Sequence, residues 1–253
     1  MANKIKHNGI YLLPNILTTA SLFAAFYSIV SSMKGHFASA AIAIYYSVIA
    51  DTLDGRIARV TNTQTDFGAE YDSLADIVAF GLAPSLLAYV FQLQTYGKIG
   101  WLICFAYTAA TALRLARFNT QLEVTDKSYF QGLPCPSAAA MLAAFIWLGH
   151  QFHLRNSLFT FGCALLMVLG SMFMVSNIRY YSFKEIDFKG KVPFLYLLFL
   201  VILFVLVAAY PACILFITFT TYAFSGPIQT LIQKHRMRLK RKKGPNRRKP
   251  FKP

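Results

Sequence analysis

The sequence predicts an all-α fold, a polytopic membrane bundle of about eight transmembrane helices, with a six-helix core followed by two C-terminal helices. Hydrophobic residues make up 56% of the chain, charged residues make up 14%, and the mean hydropathy is +0.47. The apolar residues are gathered into runs of about 20, the length an α-helix needs to cross a bilayer. Short polar segments separate these runs. The composition therefore excludes a water-soluble globular domain.

The first six spans follow one another with short connections. We place them at about residues 11–33, 37–54, 69–93, 99–118, 137–150 and 158–176. The first run is too long for the apolar part of a signal peptide and lacks a small-residue cleavage site, so we interpret it as a span. Residues 192–232 are too long for one crossing. Tyr210-Pro211 divides them into spans seven and eight, because proline interrupts helices. A six-span alternative, in which this block is a hairpin that does not cross, stays open.

Lys and Arg are distributed very unequally between the two sides of this arrangement. Of the 25 Lys and Arg residues, 22 fall on the side of both termini, and only Lys34, Lys98 and Arg155 fall on the other. Basic residues favour the cytoplasmic side of a membrane. We therefore expect both termini in the cytoplasm. We also expect an integral protein of a bacterial inner membrane.

The C-terminal segment, residues 233–253, differs from the membrane domain at 1–232. It contains 11 of the 25 basic residues and few apolar ones. Such a segment is too polar to pack into a core, so we expect it to be disordered. We also expect it to lie on anionic lipid of the cytoplasmic leaflet, which attracts Lys and Arg. Binding of nucleic acid is the less favoured alternative.

One stretch, residues 51–76, contains six of the ten acidic residues of the chain. Its fixed positions follow the pattern D-x2-D-G-x2-A-R-x8-G-x3-D-x3-D. Asp51 and Asp54 are three residues apart at the end of span two, and Asp72 and Asp76 are four apart near the start of span three. Each pair therefore projects from one helix face. Because consecutive spans are antiparallel, the four carboxylates should meet at one membrane face, the cytoplasmic one.

Four adjacent carboxylates repel one another unless a cation binds between them. An all-oxygen donor set without His or Cys favours Mg²⁺ or Mn²⁺ over zinc. Gly55 and Gly68 remove side-chain bulk where the backbone approaches the other helix or a ligand. Arg59 offers a partner for phosphate. Two alternatives stay open here: the acidic cluster of a divalent-cation transporter, and helix-packing glycines beside solvated acids.

At these residues the sequence resembles the CDP-alcohol phosphatidyltransferase family. The resemblance implies two divalent metal ions, Mg²⁺ or Mn²⁺, which hold the diphosphate of a CDP-activated lipid. The metal-binding residues would be Asp51, Asp54, Asp72 and Asp76. Asp76 would also deprotonate the acceptor hydroxyl. The nucleotide pocket would be lined by Gly55, Ala58, Arg59 and Gly68. The resemblance further implies a homodimer.

A second group of polar residues ends span four. Arg114 and Arg117 share a helix face, and Asn119 follows them. They are candidates for binding phosphate or the acceptor, and the alternative is that the two arginines only anchor the helix at the membrane edge. Together with residues 130–138 and 176–184, this segment resembles the phosphatidylserine synthase branch of the family. The branch implies transfer of a phosphatidyl group from CDP-diacylglycerol to L-serine. Glycerol-3-phosphate and inositol are the alternative acceptors.

Overall fold

The computed structural model describes residues 12–61, 63, 65–121, 129–181 and 194–242. This part of the chain is predominantly helical, as the sequence predicts. Its α-helices are α1 Leu12–Met33, α2 Phe37–Val60, α3 Asp66–Asp76, α4 Ala83–Phe91, α5 Lys98–Gln121, α6 Cys135–Gln151, α7 Ser157–Val175, α8 Phe194–Ala209 and α9 Pro211–Lys242. A π-helix, Ile77–Leu82, joins α3 to α4, and a 3₁₀ turn, Leu93–Tyr96, follows α4.

Among the described residues, five helical segments are long and apolar enough to cross a membrane. They are Leu13–Met33, Asp66–Phe91, Lys98–Thr120, Ser157–Val175 and Pro211–Thr230. These segments correspond to predicted spans one, three, four, six and eight, so the polytopic helical membrane fold is confirmed. Helices α6 and α8 are shorter, with 17 and 16 residues. The number of crossings stays a prediction.

Helices α1 and α2 form a tightly packed antiparallel pair that positions the acidic stretch. Gly35, with φ at +79°, lies in the turn between them. The Ser47 hydroxyl donates to the Ser21 carbonyl at 2.8 Å, and the Ser28 hydroxyl donates to the Ala40 carbonyl at 2.8 Å. Small side chains at such contacts allow helix backbones to approach closely. The C-terminal end of α2, with its acidic residues, is thereby held beside the N-terminal half of α1.

Helix α3 begins at the N-cap residue Thr65, whose hydroxyl accepts a 3.0 Å hydrogen bond from the Gly68 amide. The helical path then continues from Asp66 to Phe91 without a break, because the π-helix links α3 to α4 directly after Asp76. The predicted third span therefore begins three residues earlier than residue 69. A π-turn has more residues than an α-turn, so the face presented after Asp76 is rotated relative to the face before it.

Two short strands, which the sequence analysis did not predict, lie beside the C-terminal end of α5. Strand β1, Tyr129–Gln131, pairs antiparallel with β2, Arg179–Tyr181, and Phe130 lies opposite Tyr180. The Leu133 amide donates to the Phe173 carbonyl at 3.0 Å, which fixes the entry into α6. Helix α6 then begins at Cys135, with Pro136 in its first turn.

Helix α9 packs against α6 and is connected to β2 through Tyr180. That side chain is fully buried, and its hydroxyl donates to the Ala223 carbonyl at 2.9 Å. The helix continues through Lys242, so the prediction of disorder from residue 233 is wrong for residues 233–242. The physical reason is that Gln, Lys, Arg, Met and Leu favour helix, and glycine and proline first recur at Gly244-Pro245. Residues 243–253 of the predicted tail lie outside the described residues.

Candidate active site

The structure brings three aspartates of the acidic stretch together. Asp51 comes from α2, and Asp72 and Asp76 come from α3. One carboxylate oxygen from each residue lies within 4.8 Å of the other two, and all three side chains are partly buried. The carboxyl groups of Asp51 and Asp76 are in hydrogen-bonding contact. The convergence that the helical spacing predicts is thus observed for Asp51, Asp72 and Asp76.

Asp54, the fourth predicted metal-binding residue, is more buried than these three and is not part of their group. Only 4% of the residue is exposed, and its Oδ2 accepts a 2.8 Å hydrogen bond from the Thr18 hydroxyl of α1. It is still close enough to Asp72 and Asp76 for their charges to interact. The four aspartates therefore form one electrostatic cluster, in which Asp54 has an oxygen already bound by the protein.

The chemistry of this donor set fits a hard divalent cation. Oxygen ligands from several carboxylates are the usual partners of Mg²⁺, Mn²⁺ and Ca²⁺. Like charges this close repel one another, and a cation between them removes that repulsion. Asp51, Asp72 and Asp76 are the residues placed to hold it, and Asp54 is next to them.

The two glycines of the motif occupy different surroundings. A Cβ atom added to Gly55 would meet no atom within 4 Å, so the face of α2 beside Asp54 is open. A Cβ atom on Gly68 would lie 3.1 Å from the Thr65 hydroxyl oxygen and 3.4 Å from the Asn15 side-chain oxygen. Gly68 thus permits close packing of α3 on α1, whereas Gly55 leaves room for a ligand. Of the other two motif residues, Ala58 is half-buried and Arg59 is exposed on the last turn of α2.

Helix α1 contributes polar residues that the sequence analysis missed. Thr18 binds Asp54, and the Thr19 hydroxyl lies 3.0 Å from that of Tyr71 on α3. Asn15 is beside Gly68. These three residues are spaced i, i+3 and i+4 within an otherwise apolar run, so they share one helix face. This spacing is the signal in the sequence that could have identified these residues. Their contacts show that α1 supports both acidic helices, α2 and α3.

The polar residues at the end of α5 separate into different environments. The Asn119 side chain donates a 3.0 Å hydrogen bond to the Ser73 hydroxyl and so ties α5 to α3 next to Asp72. Arg117 binds the Gln131 and Asn177 side chains, each at 2.5 Å, and the Val175 carbonyl at 3.3 Å. Its guanidinium thus joins α5 to β1 and to the end of α7, which indicates a structural role for Arg117.

Arg114 is bound much less completely than Arg117. Its Nη1 donates to the Cys135 sulfur at 3.3 Å, and its buried Nε has no hydrogen-bond partner among the described residues. A thiol sulfur is only a weak acceptor. Cys135 is in turn close enough to Asp76 and Asp51 to interact electrostatically with both. The incompletely bound guanidinium of Arg114 therefore contacts a thiol that is influenced by the charges of the carboxylate cluster.

Comparison with known proteins agrees with this geometry. The sequence model of the CDP-alcohol phosphatidyltransferase family matches residues 11–169. The chain belongs to this family. Its members' chemistry favours a transferase over the alternative of a cation transporter, and the chain is therefore a membrane-embedded CDP-alcohol phosphatidyltransferase.

Several curated relatives carry the same name, CDP-diacylglycerol–serine O-phosphatidyltransferase. The protein of Helicobacter pylori strain 26695 is 40% identical over 199 residues, which cover 78% of this chain and 84% of the relative. That of Bacillus subtilis is 34% identical over 174 residues, covering 68% and 92%. That of Methanocaldococcus jannaschii is 34% identical over 164 residues, covering 65% and 74%.

The stretch matched by the family model ends within α7. It contains the four aspartates, both motif glycines and all three polar residues at the end of α5. Helices α8 and α9 lie outside it. Any contribution of α9 to the site therefore comes from outside the stretch that the family model matches.

Proposed function

We propose that the protein transfers the phosphatidyl group of CDP-diacylglycerol to the hydroxyl of L-serine, giving phosphatidylserine and CMP. The observation that carries this proposal is the convergence of three carboxylates from α2 and α3 at the ends of apolar helices. A site at the ends of membrane-spanning helices would be within reach of both the diphosphate of a membrane lipid and a polar acceptor. The printed names of the relatives support the choice of lipid donor and of serine.

The proposed cofactors are two divalent metal ions, Mg²⁺ or Mn²⁺, held by Asp51, Asp54, Asp72 and Asp76. When bound, such ions neutralise charge on the diphosphate and orient it. The open face at Gly55 admits the nucleotide, and the exposed Arg59 supplies a phosphate partner at its edge. Ala58 and Gly68 complete the proposed nucleotide pocket.

Asp76 is the proposed base for the acceptor hydroxyl. It interacts with all three other aspartates, so it lies within the cluster, and it also interacts with Cys135 on the side of Arg114. An acceptor hydroxyl that attacks phosphorus held at the cluster would have to approach this carboxylate. A general base must reach the proton it removes, so this role requires the acceptor hydroxyl to come within hydrogen-bonding distance of Asp76.

Arg114 is the proposed cation for the acceptor's carboxylate. An amino-acid acceptor needs a cationic partner, and a guanidinium binds a carboxylate through two parallel hydrogen bonds. Arg114 has a buried N–H that finds no partner in the described part of the chain, whereas Arg117 already binds three oxygens. Asn119 supports α3 through Ser73. Of the three predicted candidates, we therefore assign acceptor binding to Arg114 and supporting roles to Arg117 and Asn119.

The placement of the protein in the cell is also a proposal. The unequal distribution of basic residues favours an active site and both termini in the cytoplasm of a bacterium. The basic residues after Ile232 favour contact with anionic lipid rather than nucleic acid. We also propose a homodimer, on the basis of the family resemblance.

The test is CMP release from CDP-diacylglycerol by the purified protein with Mg²⁺ or Mn²⁺. Serine, glycerol-3-phosphate, inositol and no acceptor are compared, and metal-free samples serve as the control. We expect release that requires both metal and serine. Release with glycerol-3-phosphate or inositol instead would contradict the choice of acceptor. No metal-dependent release with any acceptor would contradict the proposed reaction.

The hydrogen bond between Thr18 and Asp54 gives a further expectation. In Thr18→Val the shape of the side chain is kept and the hydrogen bond to the carboxylate is lost. A hydrogen bond to a charged group contributes about 1.5–3 kcal/mol, so we expect CMP release to fall at least about tenfold at low Mg²⁺. A titration with Mg²⁺ measures the change. Thr19→Val is the matched control, because the adjacent exposed hydroxyl does not bind Asp54. Equal effects of the two substitutions would contradict the assigned role of Thr18.

A further inference from the structure

A groove of about 450 Å³, the α5–α7 groove, runs between α5 and α7 on the lateral surface of the membrane bundle. Small side chains of α5 leave space beside the two packed helices, and larger side chains of both helices form the edges. The floor is formed by Ala106, Ala109 and Ala110, and the edges are formed by Leu113, Met172 and Val175.

This groove opens toward the bilayer. Leu113 and Met172 are each 62% exposed, although both lie within segments that are long and apolar enough to cross a membrane. On the neighbouring face of α5, Tyr107 and Thr111 are fully buried and point into the protein. Hydrocarbon contains no water that could fill a groove, and the atoms that line an empty one lose dispersion contacts. An acyl chain of a membrane lipid is therefore the molecule that fits this surface.

The groove matches one leaflet in length and in position. Ala106 and Leu113 are separated by about 10 Å along the helix axis, which is most of the roughly 15 Å of hydrocarbon in one leaflet. Beyond Leu113, the next residue along the same helix face is Arg117, four positions later. Asn119 then binds Ser73, which is adjacent to Asp72. The Arg117 end of the groove therefore lies at the membrane face that contains the carboxylate cluster.

Arg117 places a positive charge at this end of the groove. Its Nη1 donates to the carbonyl of Val175, an edge residue of the groove, at 3.3 Å. Its Nη2 donates to the Gln131 and Asn177 side chains. None of these three acceptors is charged, so they leave the positive charge of the guanidinium unneutralised. The three bonds also use only three of the five N–H donors of a guanidinium, which leaves donors for a phosphate.

We propose that the α5–α7 groove binds an anionic phospholipid, with its phosphate at Arg117 and one acyl chain along Ala106–Leu113. A head group with net negative charge is favoured because the ammonium of a zwitterionic lipid brings a second positive charge close to the guanidinium. Basic residues at the cytoplasmic ends of membrane helices attract anionic lipid for the same reason.

The lipid in this groove is a resident lipid and not a substrate. Arg114, the residue proposed to bind the acceptor, donates instead to Cys135, which is fully buried inside the protein. The groove, in contrast, is open to the bilayer along its edges. No step of the proposed reaction uses the groove, so the inference goes beyond the proposed function.

The experiment measures lipid binding to the purified full chain in detergent by native mass spectrometry. Phosphatidylglycerol and phosphatidylethanolamine with identical acyl chains are compared. We expect the unchanged protein to bind phosphatidylglycerol about tenfold more tightly, because its head group has a net charge that the guanidinium can neutralise. Ala106→Phe places a ring in the groove at an exposed position and should weaken phosphatidylglycerol binding about tenfold. Ala116→Phe, at an exposed alanine of α5 outside the groove, is the matched control and should change binding less than twofold.

Arg117→Gln tests the head-group contact separately. It removes the charge, so we expect phosphatidylglycerol and phosphatidylethanolamine to bind this variant equally. Thermal unfolding shows whether the variant is folded, because Arg117 also links α5 to β1 and to the end of α7. If it is not folded, the comparison of Ala106→Phe with Ala116→Phe decides the question alone.

Several results would overturn the inference. They are equal binding of the two lipids by the unchanged protein, undiminished binding by Ala106→Phe, and equal losses in Ala106→Phe and Ala116→Phe. Displacement of bound phosphatidylglycerol by an equal concentration of CDP-diacylglycerol would also overturn it, since the groove would then belong to the donor site. The readout is binding and does not require turnover, so failure of this inference and failure of the proposed function are observed separately.

Discussion

Substitution of Asp51, Asp72 or Asp76 by asparagine is expected to reduce CMP release from CDP-diacylglycerol at least about 10³-fold. Each substitution removes a negative charge from the group of three carboxylates, while the size of the side chain is kept. A site that binds a divalent cation between carboxylates loses several kcal/mol of charge stabilisation when one of them becomes neutral, and each 1.36 kcal/mol is about a tenfold change in rate. The assay is metal-dependent CMP release by protein in detergent.

The matched control for these substitutions is Asp66→Asn. Asp66 belongs to the same acidic stretch and lies on the same helix, α3, but it is exposed in the first turn and is not one of the converging residues. We expect its activity to remain within about twofold of the unchanged protein, with only a small loss of helix stability from the weaker interaction with the helix dipole. Thermal unfolding of every variant shows whether it is folded. A folded Asp72→Asn variant with normal turnover would contradict the metal-site proposal.

Alanine substitutions of Arg114 and Arg117 are expected to have different effects, one on serine kinetics and the other on stability, although the two residues lie three positions apart on α5. Arg114→Ala should reduce kcat/KM for serine about 10²-fold and leave the KM for CDP-diacylglycerol unchanged, since it removes the cation proposed to bind the acceptor. Arg117→Ala should instead lower the free energy of unfolding by about 1–3 kcal/mol, because the Gln131 and Asn177 side chains and the Val175 carbonyl lose their shared donor.

Two measurements on each variant distinguish these effects. Steady-state kinetics with varied serine and varied CDP-diacylglycerol identify the substrate that is affected, and thermal unfolding in detergent reports the stability. Arg114→Lys keeps the charge without the two-pronged geometry of the guanidinium, so it should recover only part of the activity. If Arg117→Ala selectively raised the KM for serine and Arg114→Ala did not, the two assignments would have to be exchanged.

The helices and the carboxylate cluster were predictable from the sequence because the responsible interactions are local or very general. A run of about 20 apolar residues must satisfy its own backbone hydrogen bonds in lipid, and a helix is how one segment does so. The spacing of Asp51 and Asp54, and of Asp72 and Asp76, places each pair on one helix face wherever that helix lies. A short connection between the two helices then brings the pairs to the same membrane face.

Other features depend on residues that are far apart in the chain, and only the tertiary structure decided them. Asp54 is distinguished from the other aspartates by Thr18, which is 36 residues away. The helical repeat places Arg114 and Arg117 on one face, so the sequence does not distinguish them. In the structure Arg114 binds Cys135 of α6, whereas Arg117 binds residues of β1 and the end of α7. The Tyr180 hydroxyl of β2 binds the Ala223 carbonyl of α9, 43 residues away, and apolar helix faces in lipid do not specify such neighbours by hydrophobicity alone. Sequence by itself therefore determined the membrane fold and the charged site, whereas the packing of distant helices decided which arginine is held by several protein oxygens and which one is proposed to bind a substrate.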